Sequence, residues 1–291
     1  MIAIQMYSNI ALMASSKTSI NCNNNSPFGK LRFGTAGYDY PSWAGLFYRP
    51  GLARSEYLGA YSESFGCLEL CFSKDHGPQK RDVLALLAKL RRPMDFTVRL
   101  GSSLSSAPAP GGWKAELAAI TKSLDAFMEK GCLFSVLACF PPSFRYGKAE
   151  RIYLDDLLKS LAAFPVAVEF LNIEWLNARL IEGLKARGVC LCASDLPRME
   201  GLPPPSDLLT ADFAYVRFHG RNREAWLNGQ GGHCGYQYSK DELAPWLDRL
   251  ESLSLGAKGI RVIFCDKKDG AAPLSALSMS GLARAARLLD A

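Results

Sequence analysis

Arg217 and His219 stand two residues apart at the end of the apolar run Phe213–Phe218. On an extended strand, residues two apart project to the same face, so one guanidinium and one imidazole are placed side by side. A guanidinium captures a carboxylate or phosphate with two parallel hydrogen bonds, and an imidazole moves protons near neutral pH. Gly220 permits close backbone approach beside His219, and Arg221-Asn222-Arg223 adds positive charge. Two carboxylates, Glu69 and Glu169, sit inside apolar runs, where an ionised group needs a cation; Arg99 and Arg217 are the cations on offer. Together these residues describe proton transfer on a small anion. His219 is the general acid or base, oriented by Glu169 or Glu69, and Arg217, Arg99, Arg221 and Asp266 are the substrate-binding set. The plainer alternative makes the glutamates part of a structural ion-pair network and His219 a hydrogen-bonded core histidine. His76 and His233 read as loop residues, and Trp43, Trp175, Trp226 and Trp246 as packing.

These residues gain a common address from the pattern that carries them. Eight short β-branched or aromatic runs are legible: Leu31–Thr35, Cys67–Cys71, Asp95–Leu100, Cys132–Cys139, Val166–Phe170, Val189–Ser194, Phe213–Phe218 and Gly259–Phe264. Amphipathic helical patterns alternate with them at Ser55–Ser64, Gln79–Arg91, Trp113–Glu129, Ala149–Ala163, Glu174–Ala186, Lys240–Leu253 and Pro273–Leu289. Glycines 131, 188 and 259 are expected to end three of the helices. The sixth unit is the exception, since Pro197–Pro205 reads as a long loop with at most a short helix near Asp207–Thr210. Eight strands alternating with helices over about 260 residues predict a single-domain α/β fold, a closed (β/α)8 barrel of the TIM type over residues 30–291. No G-x-G-x-x-G turn supports a dinucleotide fold. In such a barrel the chemistry lies at the C-terminal ends of the strands, where Glu69, Arg99, Glu169, Arg217, His219 and Asp266 all fall.

Composition narrows the setting. The chain has 34 basic and 28 acidic residues, a net charge of +6, spread without blocks of like charge, so a nucleic-acid groove is not indicated. Of nine cysteines, Cys67, Cys71, Cys132, Cys139, Cys190, Cys192 and Cys265 lie in or beside strand-like runs and read as reduced core thiols. That usage points to the cytoplasm. Cys71, Cys139, Cys265 and His219 form a sulfur-nitrogen donor set only if their strand ends converge, and no ligand spacing supports it. No metal or cofactor is expected. Residues 1–29, with an Asn/Ser-rich stretch from Asn21 to Ser26, read as a disordered extension, and no apolar run is long enough to span a membrane.

The stretch Tyr215-Val216-Arg217-Phe218-His219-Gly220-Arg221 resembles the YecE-like family, the domain of unknown function numbered seventy-two. Phe33-Gly34-Thr35-Ala36-Gly37-Tyr38 with Trp43 and Phe47-Tyr48-Pro50 resembles its opening pattern. Pro141-Pro142-Ser143-Phe144, Val168-Glu169-Phe170 with Trp175, and Tyr236-x-Tyr238 with Glu242-Leu243 and Trp246 extend the likeness from Phe33 to Ala276. The resemblance implies a barrel of the triosephosphate isomerase type and no established reaction. It also marks departures: Cys71, Cys139 and Cys265-Asp266 stand where the family carries amides, Ser73-Lys74-Asp75 replaces Thr-Phe-Tyr, and Arg99 replaces a lysine. The Thr-His that follows that lysine is missing from residues 102–106, and Leu171-Asn172 replaces Arg-His. Three readings follow. The first is an enzyme acting on a small anionic phosphate or carboxylate; the second is a catalytically impaired member that binds a ligand or partner through the same mouth. The third, least supported, is nucleic-acid binding on the loop 217–223 with Trp226 as a stacking platform.

Overall fold

Parallel strands with β-branched and aromatic residues on both faces need helices to cover one face and one another to fill the other. The computed structural model describes residues 30–71, 79–105, 112–229 and 234–289, and among them nine strands form one parallel sheet. They are β1 Leu31–Ala36, β2 Cys67–Cys71, β3 Asp95–Arg99, β4 Leu133–Phe140, β5 Val166–Phe170, β6 Cys190–Leu191, β7 Ala193–Asp195, β8 Phe213–Phe218 and β9 Gly259–Phe264. The order β6-β5-β4-β3-β2-β1-β9-β8-β7 places consecutive strands β6 and β7 at its two ends. These two are one barrel strand interrupted at Cys192, whose N–H still bonds the Val168 carbonyl at 2.8 Å. The sheet therefore closes into the expected TIM-type barrel of eight strand positions. The N-terminal extension, Ser73–Asp75, His76 and His233 lie outside the described residues.

Helices follow the strands: α1 Tyr57–Ser64, α2 Lys80–Leu87, α3 Ser102–Ser105, α4 Trp113–Glu129, α5 Lys148–Ser160, α6 Ala178–Arg187, α7 Arg223–Leu227, α8 Lys240–Leu243, α9 Pro245–Gly256 and α10 Ala271–Ala285. The single helix expected over 240–253 is divided at Ala244, because Pro245 cannot donate to the preceding turn and instead begins α9. One further expectation is corrected. Gly259 caps no helix: α9 ends at Gly256, and Gly259 opens β9, where a side chain would crowd the Phe134 ring. Residues 196–212 form the expected long loop and contain no helix. Thr210 instead replaces missing backbone pairing beside the broken strand, accepting from Leu191 N–H and donating to the Val189 carbonyl, each at 2.7 Å.

Inward-facing residues fill the barrel in layers, as the period of two requires. At the N-terminal end Arg261 forks onto buried Asp95 (Nε to Oδ1, 2.9 Å; Nη2 to Oδ2, 2.6 Å) and lies 4.2 Å from the Phe134 ring centre. The middle holds Leu137, Ala167, Tyr215 and Ile263, with Thr97 and Ser135 hydroxyls paired at 3.1 Å. The C-terminal layer is ionic, and there the expected site residues meet. Gly34 is fixed by closure itself, since a Cβ there would overlap the Cys67 carbonyl on the neighbouring strand.

Candidate functional site at the barrel mouth

Alternation places Glu69 on β2, Glu169 on β5 and Arg217 on β8 at one height inside the barrel, and all three are at most 2% exposed. Charges so deep persist only when each is answered. Arg217 answers both carboxylates at once. Its Nε donates to Glu69 Oε2 at 2.9 Å and its Nη2 to Glu69 Oε1 at 3.0 Å, while Nη1 pairs with Glu169 Oε2. Glu69 also accepts from the Tyr215 hydroxyl at 3.1 Å, and Arg99 Nε lies 3.6 Å from its Oε1. Glu169 accepts from the Ser194 hydroxyl at 2.6 Å and lies 2.7 Å from His219 Nε2. Burial alone would raise the Glu169 pKa. The charge of Arg217 and the bonds from His219 and Ser194 outweigh it and hold this carboxyl well below the usual range.

An ionised Glu169 at 2.7 Å makes Nε2 the protonated ring nitrogen of His219, which leaves Nδ1 as the acceptor. Among the described residues Nδ1 has no hydrogen-bond partner, and the ring stands edge-on to Trp226 with centres 5.9 Å apart. Arg217 Nη1 also approaches the Cys139 sulfur at 3.3 Å. Burial pushes that thiol well up, so it meets Arg217 as a neutral acceptor.

The other expected residues organise the rim. Arg221 is not free to meet a ligand with its full fork: Nε and Nη2 clasp Asp195 at 2.8 and 2.7 Å. The same carboxylate accepts from the Tyr238 hydroxyl and Trp246 Nε1, each at 2.7 Å. Asp266 accepts from the backbone N–H of Gly235 (3.1 Å), Tyr236 (2.8 Å) and Lys268 (3.1 Å), holding the returning loop to the end of β9. Gly220, at φ +85°, uses its freedom for the loop rather than for a ligand, since a Cβ would press on Tyr236. Trp43, Trp175 and Trp246 are fully buried packing residues, as expected.

Beside this centre lies a cleft of about 500 Å³ lined by Tyr38, Tyr40, Glu69, Cys71, Arg99 and Lys267. Arg99 reaches it with a side chain 30% exposed. Lys267, absent from the sequence-based set, has no carboxylate partner among the described residues and lies 5.8 Å from the Tyr40 ring centre. Its signal was position alone, two residues beyond Cys265 in the segment that follows β9. No disulfide joins any of the eight described cysteines; Cys71 is exposed at the end of β2 rather than in the core. Among the described residues no three His, Cys, Asp or Glu side chains stand close enough to hold a metal, and no helix is long and apolar enough to cross a membrane.

The model of the family described as protein of unknown function DUF72 matches residues 32–290. The chain belongs to the DUF72 family. It is similar to the UPF0759 protein YunF of Bacillus subtilis, 28% identical over 239 residues that cover 77% of this chain and 85% of that one. A DUF72 family protein of Thermotoga maritima is 29% identical with a TM-score of 0.80, covering 88% of this chain and 99% of that one. A second DUF72 structure, from Enterococcus faecalis, shares the fold at 22% identity and a TM-score of 0.74, covering 87% and 95% of the two chains.

Removing Arg217 strands two buried anions. Arg217→Met is therefore expected to cost about 3–5 kcal/mol of stability, and adding Glu69→Gln and Glu169→Gln to it recovers most of the loss. Thermal unfolding of the three proteins checks this; a single Arg217→Met variant as stable as wild type contradicts it.

Acid provides a second check. The folded Glu169 carboxyl binds its proton less tightly than its ordinary value of 4.5. Its contribution is thus complete above pH 4.5 and is lost as pH falls below it. Urea titrations from pH 6 down to about pH 3 are expected to show wild-type stability falling more steeply than that of Glu169→Gln; parallel curves contradict the assignment.

Proposed function

We propose that the barrel mouth is the active site of an enzyme that moves a proton on a small carboxylate or phosphate compound. The observation that carries this reading is the Glu169–His219 pair at 2.7 Å, which fixes the ring and leaves Nδ1 without a hydrogen-bond partner among the described residues. A positioned imidazole with an ionised carboxylate behind it is the arrangement of a general acid-base group. Glu169 is the orienting residue, and Glu69 positions Arg217 and Arg99 without reaching the substrate.

The anion falls to Arg99 and Lys267 rather than to Arg217. All three guanidinium nitrogens of Arg217 are spent on two glutamates and a thiol, so a ligand anion would compete with two fixed carboxylates. Arg99 and Lys267 border one cleft, and the chain of contacts Arg99–Glu69–Arg217–Glu169–His219 joins that cleft to the imidazole. A compact substrate held by its anionic end in the cleft lies across this row. Arg221 and Asp266 support the rim and act on substrate only through the loops they hold.

One observation favours the second reading, a binding protein with no turnover: protonated Cys139 and Cys265 at the mouth, the latter pushed up to about 12 by burial, are weak hydrogen-bonding groups for stabilising developing charge. The nucleic-acid reading loses its footing, since Arg217 is buried and Arg221 is paired with Asp195.

A thermal-shift screen of the whole protein against carboxylated and phosphorylated metabolites tests the proposal. One ligand class is expected to raise Tm by several degrees, with the shift lost in Arg99→Ala and Lys267→Ala. Turnover of that class is expected to fall about 10²–10⁴-fold in His219→Ala while the ligand shift persists. Ligand binding without turnover selects the second reading, and a screen in which nothing shifts the wild type contradicts both.

A further inference from the structure

A second concave surface lies outside the barrel, along the seam between α5 and α6. Two cavities of about 500 and about 300 Å³ adjoin there, both bordered by Leu158 and Arg187. Their floor is apolar: Trp175, Leu180 and Leu184 line the larger one, and Phe164 and Val166 the smaller. Ile152, 55% exposed, stands on the rim. Gly183 is placed in the middle of α6, where glycine weakens a helix, and a Cβ there would meet nothing within 4 Å. The seam is therefore open where a side chain could have filled it.

The rim is charged in one sense. Lys148, Arg151, Arg179 and Arg187 line the larger cavity against a single acid, Asp155. That acid is already taken, for Asp155 pairs with Lys159 and Arg187 on either side. Lys148, Arg151 and Arg179 have no carboxylate partner among the described residues. None of these groups belongs to the mouth, and no step proposed there uses them.

We infer that this groove docks an acidic amphipathic helix of another protein. The 13 residues of α5 span about 20 Å at 1.5 Å per residue, which suits a partner of three to four turns. A third helix packs onto two others by setting its apolar ridge in the groove between them, and acidic flanks on that ridge would face Lys148, Arg151 and Arg179. A second copy of this chain fits less well, because it carries a net charge of +6 and brings like charge to a basic rim.

The test uses the whole protein and a displayed library of helical peptides with apolar residues fixed at one face and the flanking positions randomised. Panning is expected to enrich sequences with Asp and Glu flanking the apolar face, and their affinity is expected to weaken as salt is raised. The pair Arg151→Glu with Arg179→Glu is expected to reduce affinity at least about tenfold, from the loss of charge complementarity. Gly183→Trp, which fills the open seam, is expected to abolish binding, while His219→Ala binds as wild type does. Thermal melts of each variant establish that it is folded. Failure to enrich any peptide, enrichment without acidic flanks, or binding that survives both groove variants overturns the inference. Each of those results leaves the reading of the mouth untouched.

Discussion

One guanidinium holding two buried carboxylates is the constraint on which the mouth of this barrel depends. Arg217 reaches from β8 to Glu69 on β2 and Glu169 on β5, so a single side chain ties together strands on different sides of the lumen. In a medium of low polarity none of the three charges is tolerable alone. Their mutual satisfaction decides the ionisation of Glu169, and the ionised Glu169 in turn decides which nitrogen of His219 carries the proton. The chemistry available at the mouth is thus set one layer below it.

Around this centre the loops are held by buried polar groups at their ends. Trp43 Nε1 donates to the Lys267 carbonyl at 2.8 Å and so fixes the backbone that carries the Lys267 side chain. Trp175 Nε1 donates to the Phe144 carbonyl at 2.7 Å, pinning the loop after β4. Asp195 gathers Arg221, Tyr238 and Trp246 from three segments. These aromatic residues supply apolar bulk to the core and one directed hydrogen bond to a loop. A rigid rim of this kind lets a small number of groups at the mouth, Arg99, Lys267 and His219 Nδ1, keep fixed relative positions.

Much of this was legible in the sequence because barrel strands advertise themselves by composition and alternation. The period of two placed Arg217 beside His219 and put Glu69 and Glu169 in need of a cation, and the structure brings all four together. What alternation does not reveal is who pairs with whom across a closed sheet. Arg217 reads as an anion-binding residue until β2 and β5 are seen to face it, and Arg221 reads as free charge until Asp195 is found beneath it. The Asp95–Arg261 pair escaped notice for the same reason, since 166 residues separate its members. Gly259 misled in a different way: a Lys-Gly pair after a helical pattern looks like a helix end, yet three residues earlier Gly256 had already closed α9 and Gly259 was needed to clear Phe134.

The ring nitrogens of His219 report most directly on the whole arrangement. Nitrogen NMR of the selectively labelled protein at neutral pH is predicted to show a proton on Nε2 and an unprotonated, acceptor-type Nδ1, with that preference lost in Glu169→Gln. A ring protonated at Nδ1 in the wild type, or a tautomer indifferent to Glu169→Gln, would contradict the account, because the buried Arg217–Glu169 pair would then have no hold on the imidazole.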